Sequence, residues 1–267
     1  MTTNDPLLID VNLPLHELLK NASRKELTML ADILTDEGKG RISLSNEVKE
    51  RLMRYKASHR LHLDTQTLAQ EICAFGGNTL VNLVRSGTVN YRKVTQDVAE
   101  KLGAKVPKNA STLEVEELVI QKALEKTLKD KTSAASIEQL CMQQGVEFDR
   151  DMLEKLKQQG NVAALASFIL RSAGPYAVSR LLTAALMSGL GMAVGAGGAA
   201  MGVAAAGRLP MLLNPIVAVL SAAWVTYDLS GPAYRVTIPA VICIAAIRQE
   251  WCKSMTDYYC MELKKCL

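Results

Sequence analysis

The side chains best suited to metal binding or nucleophilic catalysis in this 267-residue chain are its three histidines and six cysteines. They stand at His16, His59, His62, Cys73, Cys141, Cys243, Cys252, Cys260 and Cys266. No two cysteines form a Cys-x-x-Cys pair, and the histidines do not stand at zinc-ligand spacing from them. The pattern therefore predicts no metal site, and it indicates reduced structural thiols in a reducing compartment.

One glycine pattern suggests a cofactor, because Gly195, Gly197 and Ala200 match the dinucleotide fingerprint G-x-G-x-x-G/A. That motif needs a preceding strand and an acidic residue about 20 positions later. Residues 211–224 contain no carboxylate, and a glycine-dense apolar sequence matches the pattern by chance. We therefore predict no bound cofactor.

The sequence offers no positive evidence for catalysis. It lacks a P-loop lysine, an H-E-x-x-H motif and a G-x-S-x-G elbow. The carboxylate pairs Asp149/Asp151 and Glu116/Glu117 lie among charged residues of helical pattern, so we interpret them as solvent-exposed helix faces. The sequence thus predicts a protein that is not an enzyme and has no catalytic residues.

The best candidate for an interaction site is Tyr234 with Arg235. An arginine between two apolar runs is expected to find a carboxylate or a lipid headgroup, and Asp228 is its natural partner. An ordinary loop pair at a membrane interface accounts for the same residues equally well.

These residues lie within the longest apolar stretch of the chain. Residues 181–247 carry only three charged side chains, Arg208, Asp228 and Arg235. The uncharged run 181–207 is long enough to cross a hydrocarbon core about 30 Å thick. A second helix is expected to begin after Asn214, because Pro210 stands at the start of that run and Pro215 directly follows Asn214. The third run, 236–247, is too short to span; it is re-entrant, interfacial, or the start of an amphipathic helix that continues to the C-terminus.

Glycines four apart in the first run predict a flat stripe for close helix packing. The stripe comprises Gly191, Gly195, Gly198 and Gly202, and small residues at this spacing let another helix backbone approach. In water each glycine would cost a helix about 1 kcal/mol relative to alanine, whereas lipid forces the backbone into a helix. This glycine zipper favours a membrane-associated hairpin and a possible homo-oligomer. A buried hairpin in a soluble fold is the alternative.

The part of the chain before the apolar stretch is predicted to be helical. Capping boxes at Ser23/Glu26 and Ser111/Glu114 each precede an apolar pattern of helical period. Further helix starts are expected at Ser45 or Asn46, Asp64, Asn78 and Asn90, and shorter helices around 137–142 and 152–158. The only weak strand candidate is 41–44. The predicted fold class is all-α: a soluble helical domain, then a Gly/Ala-rich apolar hairpin.

Charge limits the partners of the helical part. The net charge is only +4, without the basic stripe of most nucleic-acid-binding proteins, so we expect no nucleic acid partner. Basic residues do cluster on the helix predicted to end near Arg60. We interpret them as a solvated face. The functional alternative is contact with anionic lipid or RNA, and the apolar tail makes lipid headgroups the better partner of the two. The N-terminus lacks a signal-peptide pattern, which predicts a cytoplasmic start.

Two segments carry a resemblance to a known family. Residues 74–102, AFGGNTLVNLVRSGTVNYRKVTQDVAEKL, and residues 230–248, SGPAYRVTIPAVICIAAIR, resemble the YaaW-like family of uncharacterised enterobacterial proteins. Residues 18–44 resemble the small helical module that opens that family. The helical middle is also similar to ubiquinol–cytochrome c assembly chaperones. No catalytic residues are assigned to the family, so the resemblance implies none here.

The sequence therefore divides into a helical module, 1–44, a helical soluble domain, 45–172, and an apolar region, 173–267. Three functions fit it. The first is a non-enzymatic protein of the inner membrane, with a cytoplasmic helical domain that binds a protein partner and an apolar region that contacts membrane lipid. The second is a pore-forming or toxin-like effector. The third is a soluble, cytoplasmic assembly chaperone for a membrane protein.

Overall fold

The computed structural model describes residues 13–38, 44–77, 90–189 and 234–266, whose regular secondary structure is helical throughout. The all-α prediction is confirmed for these residues. The helices are α1 (Leu15–Lys20), α2 (Arg24–Thr35), α3 (Asn46–Ala57), a 3₁₀ turn (Leu61–Leu63), α4 (Thr65–Gly77), α5 (Tyr91–Lys101), α6 (Thr112–Leu128), α7 (Lys131–Gln143), α8 (Arg150–Gln158), α9 (Val162–Gly189) and α10 (Tyr234–Cys266).

Local capping signals place the starts of α2, α5 and α6. Both capping boxes form: the backbone N–H of Ser23 donates to Glu26 Oε2 at 2.8 Å, and that of Ser111 donates to Glu114 Oε2 at 2.6 Å. Asn90 caps α5 by accepting from the backbone N–H of Lys93 at 2.9 Å. These three predicted starts are confirmed because each depends on residues within one turn.

Other predicted boundaries differ from the structure by two to six residues. α7 begins at Lys131, where the Asp130 carboxylate accepts from the backbone N–H of Ser133 at 2.7 Å. Asp149 caps α8 in the same way. α3 ends at Ala57, before Arg60. The helix expected at Asn78 and nearly all of the strand candidate 41–44 lie outside the described residues, and Leu44 is not in a strand.

α9 is a 28-residue helix with a break in its middle. Gly174 has φ 80° and ψ 155°, a conformation open essentially to glycine alone, and Pro175 follows it. Residues Val162–Leu186 are long and apolar enough to cross a membrane by length and composition, and they are the one such helix among the described residues. This candidate span starts well before the predicted one at residue 181.

The apolar run 236–247 forms the first half of α10, and every residue of it is buried. It packs against α1, α2, α4, α5, α6 and α9. Of the three interpretations of this run, the helix continuing towards the C-terminus agrees with the structure, and the re-entrant and interfacial ones do not. The proposed division at residue 172 stays a prediction, but α10 joins the same core as the N-terminal helices.

The central part of the predicted hairpin lies outside the described residues, as do Gly191, Gly195, Gly198 and Gly202. The glycine stripe therefore stays a sequence-based prediction.

Candidate functional site

The predicted interaction residues Tyr234 and Arg235 open α10, and Asp228 lies outside the described residues. Tyr234 is half-buried, and the Lys101 ammonium lies 5.0 Å from the centroid of its ring, a cation–π contact with the end of α5. Burial raises the pKa of the Tyr234 hydroxyl. Arg235 is exposed. The pair therefore sits where α10 meets α5, and its role in binding stays a prediction.

A buried polar cluster lies at the other end of the apolar run. The Arg248 guanidinium donates from Nε to Glu116 Oε2 at 2.7 Å, and the Tyr91 hydroxyl donates to Glu116 Oε1 at 2.8 Å. The three side chains come from α10, α6 and α5, and their exposed fractions are 1%, 0% and 8%. One carboxylate thus accepts from both neighbouring helices.

Burial and charge oppose each other in this cluster. Burial raises the pKa of the Glu116 carboxyl, and the Arg248 guanidinium opposes that rise. Burial also disfavours the charge of Arg248, but the Glu116 carboxylate outweighs it, so the pKa of Arg248 is raised. Burial raises the pKa of Tyr91 well above its ordinary value, which keeps the hydroxyl protonated as a donor. The arrangement holds an ion pair in place and leaves no open face for a substrate.

The two residues after Arg248 also form polar contacts with neighbouring helices. Gln249 donates from Nε2 to Glu117 Oε1 of α6 at 3.2 Å. Glu250 accepts from the Tyr176 hydroxyl at 3.2 Å and pairs with Arg180 at 3.1 Å, both on α9. We call residues 248–250 the polar collar, since they link α10 to its neighbours at the point where its buried half ends.

Arg180 extends the collar to α2. Its Nη1 atom donates to Glu26 Oε1 at 3.1 Å, while the other oxygen of Glu26 completes the capping box at the start of α2. One glutamate therefore fixes the start of α2 and ties it to α9. Because α9 carries the candidate membrane span, this contact links that span to the N-terminal helices.

The structure corrects the interpretation of Glu116 as solvent-exposed. Its side chain is fully buried, whereas Glu117 is half-buried and Asp149 and Asp151 are exposed as expected. The sequence does contain a signal: Glu116 stands three and four residues before Val119 and Ile120, so it falls on the buried stripe of α6. The partner, Arg248, is 132 positions away and has no local signal.

The basic residues of α3 are partly neutralised. Arg51 forms a bidentate pair with the buried Asp64 carboxylate, through bonds of 2.8 Å and 2.6 Å. Lys56 forms an ion pair with Asp32, which is also buried. These two cations therefore fasten α3 to its neighbours, which the interpretation as a solvated face did not anticipate.

Among the residues that the structure describes, no group of three His, Cys, Asp or Glu side chains could hold a metal ion. All six cysteines are free thiols. Burial raises the pKa of Cys73 to about 11 and that of Cys141 to about 12, and it raises that of Cys243 well above its ordinary value. These three thiols are therefore poor nucleophiles.

Comparison with known proteins decides the family. The chain is 31% identical over 240 residues to the UPF0174 protein YaaW of Escherichia coli (strain K12), which covers 87% of this chain and 92% of that relative. The chain belongs to the UPF0174 family. A UPF0174 protein of Helicobacter pylori (strain J99) is 29% identical over 188 residues, covering 68% of this chain and 87% of that relative. No protein-family model matches the chain, and no solved structure matches it.

Membership of the UPF0174 family confirms the resemblance to YaaW-like proteins. A second Helicobacter pylori UPF0174 protein is 26% identical over 234 residues, again 87% of this chain. Alignments of this length include much of the helical domain together with part of the apolar region. The similarity to ubiquinol–cytochrome c assembly chaperones stays a prediction.

Proposed function

We propose that this UPF0174 protein is a non-enzymatic protein of the inner membrane, whose helical domain lies in the cytoplasm and presents a surface to a protein partner. The observation that carries the proposal is the low burial of α9. A core helix of a soluble protein is mostly buried, yet only 28% of the most apolar 18-residue stretch within Val162–Leu186 is buried. The sequence continues from there into residues 187–207, which carry no charge. An apolar segment of this length is suited to lipid contact.

Two features support a binding role without catalysis. The Tyr91–Glu116–Arg248 cluster is closed to solvent, so it is suited to holding helices together and not to receiving a substrate. The second half of α10 carries apolar side chains in water: Tyr258 and Met261, three residues apart on one helix face, are each 50% exposed. We infer that this exposed apolar pair contacts the partner protein.

Carbonate extraction followed by vesicle flotation tests the membrane assignment. The full chain is expected in the carbonate-resistant membrane fraction and to float with vesicles. The double variant Val194→Arg/Leu220→Arg should move it to the soluble fraction, because each arginine in an inserted apolar run costs up to about 2.5–3.5 kcal/mol on insertion scales.

Arginines at Ser254 and Thr256 provide the matched control, since both residues are exposed on α10. That variant should float like the unchanged protein. Recovery of the unchanged full chain in the soluble fraction, without detergent, contradicts the proposal.

Thiol labelling tests the orientation. Cys260 and Cys266 are exposed on α10, whereas Cys141 and Cys243 are buried. A membrane-impermeant maleimide should label Cys260 and Cys266 in inside-out membrane vesicles and leave them unlabelled in intact right-side-out vesicles. Labelling in right-side-out vesicles would place the helical domain on the opposite side.

A further inference from the structure

A cavity of about 280 Å³ opens where the start of α2, the end of α3 and the 3₁₀ turn meet. Its apolar part is formed by Ala22, Leu27 and Leu61, and both leucines belong to the buried core. Ligand pockets commonly join an apolar wall to a few polar groups that fix the orientation of the ligand. The volume suits a small chemical group.

The polar side chains around this cavity are basic apart from one hydroxyl. Arg24, Lys56, His59 and His62 line it together with Thr28, and none of the eight lining residues is acidic. Lys56 is held by its ion pair with the buried Asp32. Within the described residues, the side chains of Arg24, His59 and His62 have no hydrogen bond or ion pair. The guanidinium of Arg24 on α2, the imidazole of His59 in the turn after α3 and the imidazole of His62 in the 3₁₀ turn are therefore available as hydrogen-bond donors to an anion.

His59 occupies a backbone position that favours glycine. Its φ is +58°, in the left-handed region. The backbone N–H of Arg60 donates to the Tyr55 carbonyl at 2.8 Å, and that of His59 donates to the Lys56 carbonyl at 3.1 Å. These two bonds form a Schellman motif, whose left-handed residue is usually glycine. A histidine here carries a backbone cost that glycine avoids, and it places an imidazole at the cavity.

We propose that this cavity binds a phosphate monoester. The Arg24 guanidinium supplies positive charge, the Lys56 ammonium stays paired with Asp32 beside the cavity, and the two imidazoles and the Thr28 hydroxyl can donate to phosphate oxygens. A phosphate monoester presents three strong acceptor oxygens and close to two negative charges, which matches donors that converge from several directions. The monoester is a free phosphorylated metabolite or the headgroup of a lipid such as phosphatidic acid. The site rests on the geometry of the helical domain and does not require the proposed membrane attachment.

Calorimetric titration of the full chain in an uncharged detergent tests this site. Inorganic phosphate and glycerol 3-phosphate should each bind with a saturable one-site isotherm, and glycerol should not bind. Arg24→Gln and His62→Gln should each weaken binding about tenfold, because each removes a charged or hydrogen-bonding partner. Arg54→Gln is the matched control, since Arg54 is exposed on α3 and does not line the cavity. Its affinity should be unchanged.

His59→Gly separates a binding role from a structural one. Glycine suits the left-handed backbone, so the variant should keep or raise the unfolding temperature while it loses phosphate affinity about tenfold. Unchanged affinity in His59→Gly overturns the proposal. So does the absence of saturable phosphate binding, or an equal loss in Arg54→Gln and Arg24→Gln.

The source of the phosphate is resolved with short-chain lipids. Dioctanoyl phosphatidic acid is a monoester, whereas dioctanoyl phosphatidylcholine is a diester with a choline cap. Tighter pocket-dependent binding of phosphatidic acid than of glycerol 3-phosphate supports a lipid headgroup, and equal binding supports a free metabolite. Equal binding of the two lipids overturns the preference for a monoester.

Discussion

Two apolar helices of this protein lie in different surroundings. Every residue of α10 from 236 to 247 is buried, so the helix is covered on all sides. α9 is long and apolar enough over Val162–Leu186 to cross a membrane, although it carries Arg171 and Arg180, and most of its most apolar 18-residue stretch is not buried. A helix that is apolar all round belongs in the centre of a domain or in a membrane. The buried half of α10 is in the first situation, and we propose that α9 with the stretch after it is in the second.

The largest expected effect comes from a charge in the buried half of α10. Ile244 is fully buried, and Ile244→Asp removes its packing and buries a carboxylate, which should cost more than about 5 kcal/mol. That is comparable to the whole stability of a typical domain, so the helical circular dichroism should be lost.

Two controls sharpen this prediction. Ile244→Val should cost about 0.5–1.5 kcal/mol. Ser254→Asp, at an exposed position in the second half of α10, should change the free energy of unfolding by less than about 0.5 kcal/mol. Equal losses in Ile244→Asp and Ser254→Asp would contradict the burial of the first half of α10.

The second effect concerns the polar collar at the end of the buried run. Glu116→Leu leaves the Arg248 guanidinium without its buried carboxylate, which should cost about 3–5 kcal/mol in urea unfolding. Adding Arg248→Met should recover much of that loss, because a well-packed apolar pair replaces a buried ion pair at little cost.

The adjacent Glu117→Gln serves as the control, since its carboxylate is half-buried and accepts only from Gln249. Its free energy of unfolding should change by less than about 1 kcal/mol. A double variant no more stable than Glu116→Leu would mean that the cluster does not act as a pair.

The third effect lies in α9. A Cβ at Gly174 would meet open space, so the cost of Gly174→Ala is purely one of backbone conformation. Because Gly174 has φ 80° and ψ 155°, an alanine there should be strained and should lower the free energy of unfolding by about 1–3 kcal/mol. The exposed neighbour Ser172→Ala should be neutral in the same thermal unfolding measurement. A neutral Gly174→Ala would indicate that the break in α9 is not needed.

The smallest effect is a pH dependence at α6, which packs against both α9 and α10. Hydrogen bonds from the Ser111 backbone and hydroxyl hold the pKa of Glu114 below its ordinary value. A carboxyl whose pKa is lowered by folding stabilises the fold above its unfolded pKa, and this contribution is lost as the pH falls through the folded pKa.

Thermal unfolding between pH 6 and pH 3 should therefore show a steeper acid loss for the unchanged protein than for Glu114→Gln. Glu147→Gln, an exposed position near the end of α7, provides the matched control. Identical acid profiles of the unchanged protein and Glu114→Gln would rule out a contribution from this cap.

Sequence alone predicted the helical class and the local helix starts, because a cap such as Ser111 and Glu114 is complete within four residues. It did not predict where α10 lies, since an apolar run of twelve residues looks the same in a protein core and at a membrane. The Glu116–Arg248 pair spans 132 positions. The helical period identifies the face of α6 that carries Glu116, but not the helix that covers it.

The basic cavity shows the same limit. The cluster of cations on α3 is visible in the sequence. The sequence does not show which of these cations form ion pairs with buried carboxylates and which could bind an anion. Asp64 and Asp32, which bind Arg51 and Lys56, come from outside α3. Arg24 approaches from α2, and the left-handed backbone of His59 has no signal in a helix pattern that was predicted to continue to Arg60.

The two tryptophans allow the most direct test of the difference between the apolar regions. Trp224 belongs to the apolar stretch, and Trp251 follows the polar collar on α10. Each is isolated by changing the other to phenylalanine, and the protein is reconstituted into vesicles of brominated lipid. We expect strong quenching of the fluorescence of Trp224 and little quenching of that of Trp251. Equal quenching of both, or no quenching of Trp224, would contradict the proposed difference between the two apolar regions.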